Sequence, residues 1–169
     1  ALEREPRAGD VATLGAAALL YRNDAARWPA FAGLDLTTVN PDLAFHSLVA
    51  ESATIGDVFG DQLAMVAASE APTLVTLTIG AADLMSLLVR RPSLAIARKA
   101  AHDIGEAYEF LVDAIRRARP TGMLLLATVC DPSDGTALMP GVDAATRPVP
   151  LAALDVVNAR IRTIAAGTP

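Results

Sequence analysis

The run Thr73-Leu-Val-Thr-Leu-Thr-Ile79, closing on Gly80-Ala-Ala82-Asp83-Leu84, decides the fold. Its first seven residues are all apolar or β-branched. That pattern predicts a strand buried on both faces, as in a parallel sheet. Gly80 then ends the strand, and Asp83 is placed to cap the helix that follows. Met123-Leu-Leu-Leu-Ala-Thr-Val129 has the same character and predicts a second strand of the same kind. Leu43–Val49 reads as a further, earlier strand.

Helical patterns alternate with these runs. Ile55, Val58, Phe59, Leu63 and Val66 share one face, and Thr54 with Asp57 three residues on has the form of a capping box. A long helix is predicted from about Ser93 to Arg119, with Leu94, Ala97, Ala101, Ile104, Ala107, Leu111, Ile115 and Ala118 as its buried stripe. Arg98, Lys99, Asp103, Glu106, Asp113 and Arg117 face water, and Pro120-Thr-Gly122 ends the helix. A last helix begins near Pro150 with Leu154, Val157, Ile161 and Ile164 on one side. Strand, helix, strand, long helix, strand, loop, helix is the order of an α/β fold with right-handed crossovers. Residues 131–150 read as the irregular loop after the last strand, where open α/β sheets carry their ligands. Residues 1–15 read as loop, and no second domain is evident, so residues 1–169 are taken as a single domain.

With 53% hydrophobic residues and only 4% aromatics, the core has to be built from Ala, Leu, Val and Ile. A formal charge of −5 and a pI near 4.9 argue against nucleic acid as a partner, since that needs a basic patch. Cys130 is the only cysteine, which rules out an internal disulfide and a cysteine-based metal site. No apolar run approaches the roughly 18 residues of a membrane span. The N-terminal Ala1-Leu-Glu-Arg-Glu-Pro-Arg7 has no signal-peptide core. A cytoplasmic protein is expected, unless a leader upstream of Ala1 has been removed.

Isolated reactive residues carry little. His46 reads as a core or edge histidine of a strand, and His102-Asp103 as solvated helix surface, because adjacent helical residues do not face one another. Cys130 reads as a buried small hydrophobe beside a presumed cleft. Asp131, Ser133 and Asp134 lack the calcium-loop spacing and read as a turn. Gly80-Ala-Ala-Asp83 lacks the Gly-x-Gly-x-x-Gly spacing of a dinucleotide site. No cofactor or metal is expected.

Taken together, several segments resemble the SGNH (GDSL-type) hydrolases. Gly80-Ala-Ala82-Asp83-Leu84 resembles the family's Gly-x-Asn-Asp block, with Ala82 at the Asn position. Ser52-Ala-Thr-Ile-Gly-Asp57-Val58 resembles the preceding block, with Ser52 at the position of a Gly. Arg22-Asn-Asp-Ala-Ala-Arg-Trp28-Pro29 resembles the Trp-Pro entry into the first helix, and Val157–Ala166 the helix before the last strand. The nearest match to the family's Gly-Asp-Ser is Gly9-Asp10-Val11, with Val at the nucleophile.

The resemblance implies a three-layer α/β/α domain with a mainly parallel, flavodoxin-like sheet, and hydrolysis of acyl or acetyl esters by a Ser nucleophile. It also implies a site at Ser52, Gly80, Ala82 and Asp83. The first strand and its Ser would lie upstream of residue 1 or be lost, and no Asp-x-x-His follows. A missing nucleophile, a missing base and Ala82 in place of a side-chain donor predict a catalytically incomplete domain. The alternative is a binding or scaffold module that keeps the fold without the chemistry. A small ester or acyl ligand and self-association are the partners expected.

Overall fold

Two β-strands, β1 (Leu74–Leu77) and β2 (Met123–Leu126), pair in parallel in the computed structural model of the chain, with Leu74 opposite Met123 and Leu77 opposite Leu126. The structure describes residues 20–66, 72–137 and 147–167. The chain forms two compact units, Ala1–Ala50 and Glu51–Pro169. Among the described residues from Leu36 onward, the α-helices are, in chain order, α1 (Leu36–Val39), α2 (Ile55–Asp57), α3 (Ala81–Leu88), α4 (Leu94–Ala118) and α5 (Pro148–Ala166).

In the first unit, Leu43–Val49 holds one isolated bridge residue, Ser47, and is not the strand its composition predicts. Its polar and aromatic groups are used locally. The Tyr21 hydroxyl donates to the Leu43 carbonyl at 3.0 Å, and the Phe45 ring stacks on Tyr21. Trp28-Pro29 opens only a 3-10 turn, Pro29–Phe31, which buries nothing. Asp35 caps α1 by accepting from the Thr38 amide. His46 is exposed rather than packed.

The second unit holds the sheet and the core. Parallel strands need a long crossover, and α3 and α4 supply it. The pairing register sorts the sheet into two faces. Leu77 belongs to the core and Val75, Leu124 and Leu126 pack half-buried against it, whereas on the other face Thr76, Met123 and Leu125 are exposed. The prediction of strands buried on both faces therefore fails: Met123 is 66% and Leu125 45% exposed. The α/β class holds, with a two-stranded parallel sheet among the described residues.

Most of the core lies between α4 and α5. Ala97, Ala101, Tyr108, Leu111 and Val112 of α4 are wholly buried, as are Ala153 and Val157 of α5. The stripe of α4 is buried at Ala97, Ala101, Leu111 and Ile115 as predicted, and it also takes in Gly105, Tyr108 and Val112, while Leu94 is exposed. A Cβ at Gly105 would lie 3.0–3.1 Å from Cγ and Cβ of Arg160, so only glycine lets the α5 side-chain stem come this close. The Arg160 guanidinium then reaches Glu109 on the same seam. All six residues predicted to face water on α4 are exposed.

The Thr54 capping box is present. The Asp57 amide donates to the Thr54 hydroxyl oxygen, and the Thr54 amide donates to the Asp57 carboxylate at 2.8 Å. Downstream the helical run widens to a π turn, Val58–Gln62, then tightens to 3-10 geometry at Leu63–Met65. The change of pitch turns Phe59 outward, although the 3.6-residue pattern puts it with Ile55 and Val58. Among the described residues, no helix is long and apolar enough to cross a membrane.

Candidate functional site

Both strands end at one place, and the chain beyond each takes a restricted path. After β1, Gly80 is buried at φ +106°, in the left-handed region that favours glycine, and forms the N-cap of α3. A Cβ at Gly80 would lie 3.4 Å from Val129 Cγ2, so the chain after β1 packs closely against the chain after β2.

Beyond β2 the backbone is held by a residue that periodicity hides. Asn158 sits on the buried side of α5, beside Val157 and Ile161. The Val129 amide donates to its side-chain oxygen at 2.8 Å, and its side-chain NH2 donates to the Val129 carbonyl at 2.9 Å. The amide group thus pairs with Val129 as a neighbouring strand would. The available signal was a polar residue on an apolar helical stripe, where an amide is costly unless both its ends are paired.

Past Val129 the chain bends sharply around Asp131. One carboxylate oxygen accepts from the Ser133 amide (2.8 Å) and hydroxyl (2.6 Å), and the other from the Gly135 amide (2.8 Å). Asp134 and Ala137 both lie at φ +53°, an uncommon conformation for residues with a Cβ. The Ser133 hydroxyl, with the Ser133 amide second, holds the Asp131 carboxyl below its ordinary value, so it is ionised at neutral pH. The turn predicted at Asp131–Gly135 is therefore present.

An apolar cavity of about 230 Å³ opens at this carboxyl end of the sheet. Ala81, Leu84, Met85 and Leu88 line it from one side of α3, at the spacing of a single helical face. Pro150, Leu151 and Leu154 line it from the start of α5. Val129 to Ser133 complete the wall. Cys130 is exposed there, not buried as its apolar neighbours predict, because the Asn158 clamp fixes Val129 inward and leaves the next residue facing out.

None of the four candidate residues, Ser52, Gly80, Ala82 and Asp83, is among the described lining residues of the cavity, although Gly80 lies beside it at the strand end. Asp83 points to α2 instead. Its carboxylate accepts from the buried Ile55 amide at 3.1 Å and so caps α2 from a distance, while the N-cap position of α3 is Gly80. Burial pushes the Asp83 carboxyl above its ordinary value, the Ile55 amide opposes this, and the charge of Asp57 adds to it. Ser52 is exposed at φ +58°, a backbone conformation that glycine adopts most readily. Ala82 is half-buried and offers only a methyl group. His102 is exposed on α4, as expected. Among the described residues, no group of three or more His, Cys, Asp or Glu side chains is placed to hold a metal. Gly9-Asp10-Val11 lies outside the described residues.

No family model matches the chain, and no curated protein or solved structure matches it either.

Proposed function

We propose that the chain is a domain of SGNH-hydrolase type, three-layered with a flavodoxin-like sheet, that binds a small ester or acyl ligand and is catalytically incomplete. The observation that carries this reading is the hydrogen bond from Ile55 to Asp83. It joins the two segments that resemble successive blocks of that family, at the end of a parallel strand. The conformation of Ser52 adds support, because the family's residue at that position is Gly and φ there is positive.

The chemistry of the seam argues for incompleteness. Removing one preorganised oxyanion donor costs roughly 10²–10³ in turnover, and Ala82 has none to offer from its side chain. Ser52 offers a hydroxyl, and a Ser without an adjacent base is a weak nucleophile. The second reading, a binding or scaffold module that retains the fold, is favoured by the same Ala82 methyl group.

Short-chain p-nitrophenyl esters test the proposal, with Ser52→Ala and Cys130→Ala measured beside the parent chain. No turnover above buffer is expected from any of the three. Turnover that disappears in one variant would identify a rebuilt nucleophile and overturn the incomplete-site reading.

A further inference from the structure

The cavity at the carboxyl end of the strands lies on a different face of α3 from Asp83, and its chemistry is one-sided. The walls from α3 and α5 are entirely apolar, with Leu84, Met85, Leu151 and Leu154 among them. Among the described residues, the polar lining groups come from the loop after β2, and Asp131 is the only charged lining side chain. Among the described residues no lining cation offsets it.

We propose that this cavity binds the tail of a single-chain amphiphile whose head group is uncharged or cationic, with the tail against α3 and α5 and the head beside Asp131. Three features carry the proposal. The volume is above the roughly 150 Å³ of an apolar cavity that accepts benzene, which scales to a guest of about eight or nine heavy atoms. Wall composition selects an alkyl chain, since an apolar wall leaves polar groups of a guest unpaired. Asp131 selects the head, because its ionised carboxylate is fixed in place by three donors and cannot swing away from an approaching anion. A free fatty-acid carboxylate is therefore disfavoured, although its tail fits equally well. The proposal does not depend on the hydrolase reading, since neither Ser52, Ala82 nor Asp83 lines this cavity.

Cys130 provides the readout, because it is the only thiol in the chain, is exposed, and lies on the cavity wall. The rate of its reaction with N-ethylmaleimide is measured at neutral pH against n-octanol, octyltrimethylammonium and octanoate. Octanol and octyltrimethylammonium are expected to slow the reaction at least fivefold and saturably. Shortening the tail should weaken protection by about threefold to fourfold per methylene. Octanoate is expected to protect at least tenfold more weakly than octanol, and Asp131→Asn should narrow that gap. Ala81→Trp and Met85→Trp, both at exposed positions and therefore tolerated by the fold, fill the cavity from α3 and should abolish protection. Equal protection by octanoate, protection that survives in both tryptophan variants, or no saturable protection by any probe would each overturn the proposal.

Discussion

Asn158 shows how much one side chain decides in this molecule. Its amide is the lateral partner of Val129, and both backbone groups of Val129 are buried from water around it. Asn158→Leu fits the apolar stripe of α5 better but leaves an N–H and a carbonyl unpaired. It is expected to lower unfolding free energy by about 2–4 kcal/mol, read by urea denaturation. Tyr108 presents the opposite case. The residue is 0% exposed, its hydroxyl has no partner among the described residues, and burial pushes its pKa up to about 12. Tyr108→Phe removes an unpaired polar group without changing the ring, and should raise stability by about 1 kcal/mol in the same assay.

Asp83 carries a pH dependence with an unusual sign for a carboxylate. Its native pKa is raised by burial, so across the window from about pH 4 upward the native state holds more protons than the unfolded state. Its contribution to stability therefore falls as pH rises through that window and levels off once the group is ionised. Asp83→Asn keeps an acceptor for the Ile55 amide and has no charge to titrate. The stability difference between parent and variant, followed by denaturation against pH, should accordingly drift in favour of the variant as pH rises. A difference that moves the other way would mean that the Ile55 hydrogen bond, and not burial, governs this carboxyl.

At the scale of the elements, the seam between α4 and α5 rests on Gly105. A methyl group there meets Cβ and Cγ of Arg160 at 3.0–3.1 Å, so the seam must give by a few tenths of an ångström, a cost offset by the about 1 kcal/mol that alanine gains in helix propensity. Gly105→Ala should thus be close to neutral. Gly105→Leu overpacks the seam and should cost about 2–3 kcal/mol, measured by thermal unfolding. The same element shows what a sequence pattern can and cannot reveal. The polar face of α4 was legible because every charged residue on it faces water, and charge leaves no alternative. The buried stripe was legible at Ala97, Ala101, Leu111 and Ile115 but missed Gly105, because glycine has no hydropathy signal and its value here depends on what packs against it. The π turn at Val58–Gln62 was equally hidden, since a change of pitch leaves residue types unaltered.

The whole second unit is organised around a sheet that has an inside and an outside. Leu124 packs against the core whereas Leu125, next to it in the chain, is 45% exposed. Leu125→Lys is expected to change stability by no more than about 0.5 kcal/mol. Leu124→Lys puts a charge against the core and should cost about 2–3 kcal/mol, read as a lowered thermal transition. Equal effects of the two would refute the two-faced sheet.

The sequence by itself determined the α/β class, the two parallel-type runs, the Thr54 capping box, the long amphipathic helix and the turn at Asp131. Each is written in local chemistry: β-branched runs, a hydroxyl three residues before a carboxylate, a 3.6-residue period, an Asp before Pro. Tertiary structure alone decided which strand face is covered, that Asp83 serves Ile55, and that Ser52 and Ala82 stand apart from the cavity. It also turned Cys130 outward and gave Asn158 its partner. These outcomes depend on contacts between residues some 29 positions apart, where the identity of one partner says nothing until the other is in place.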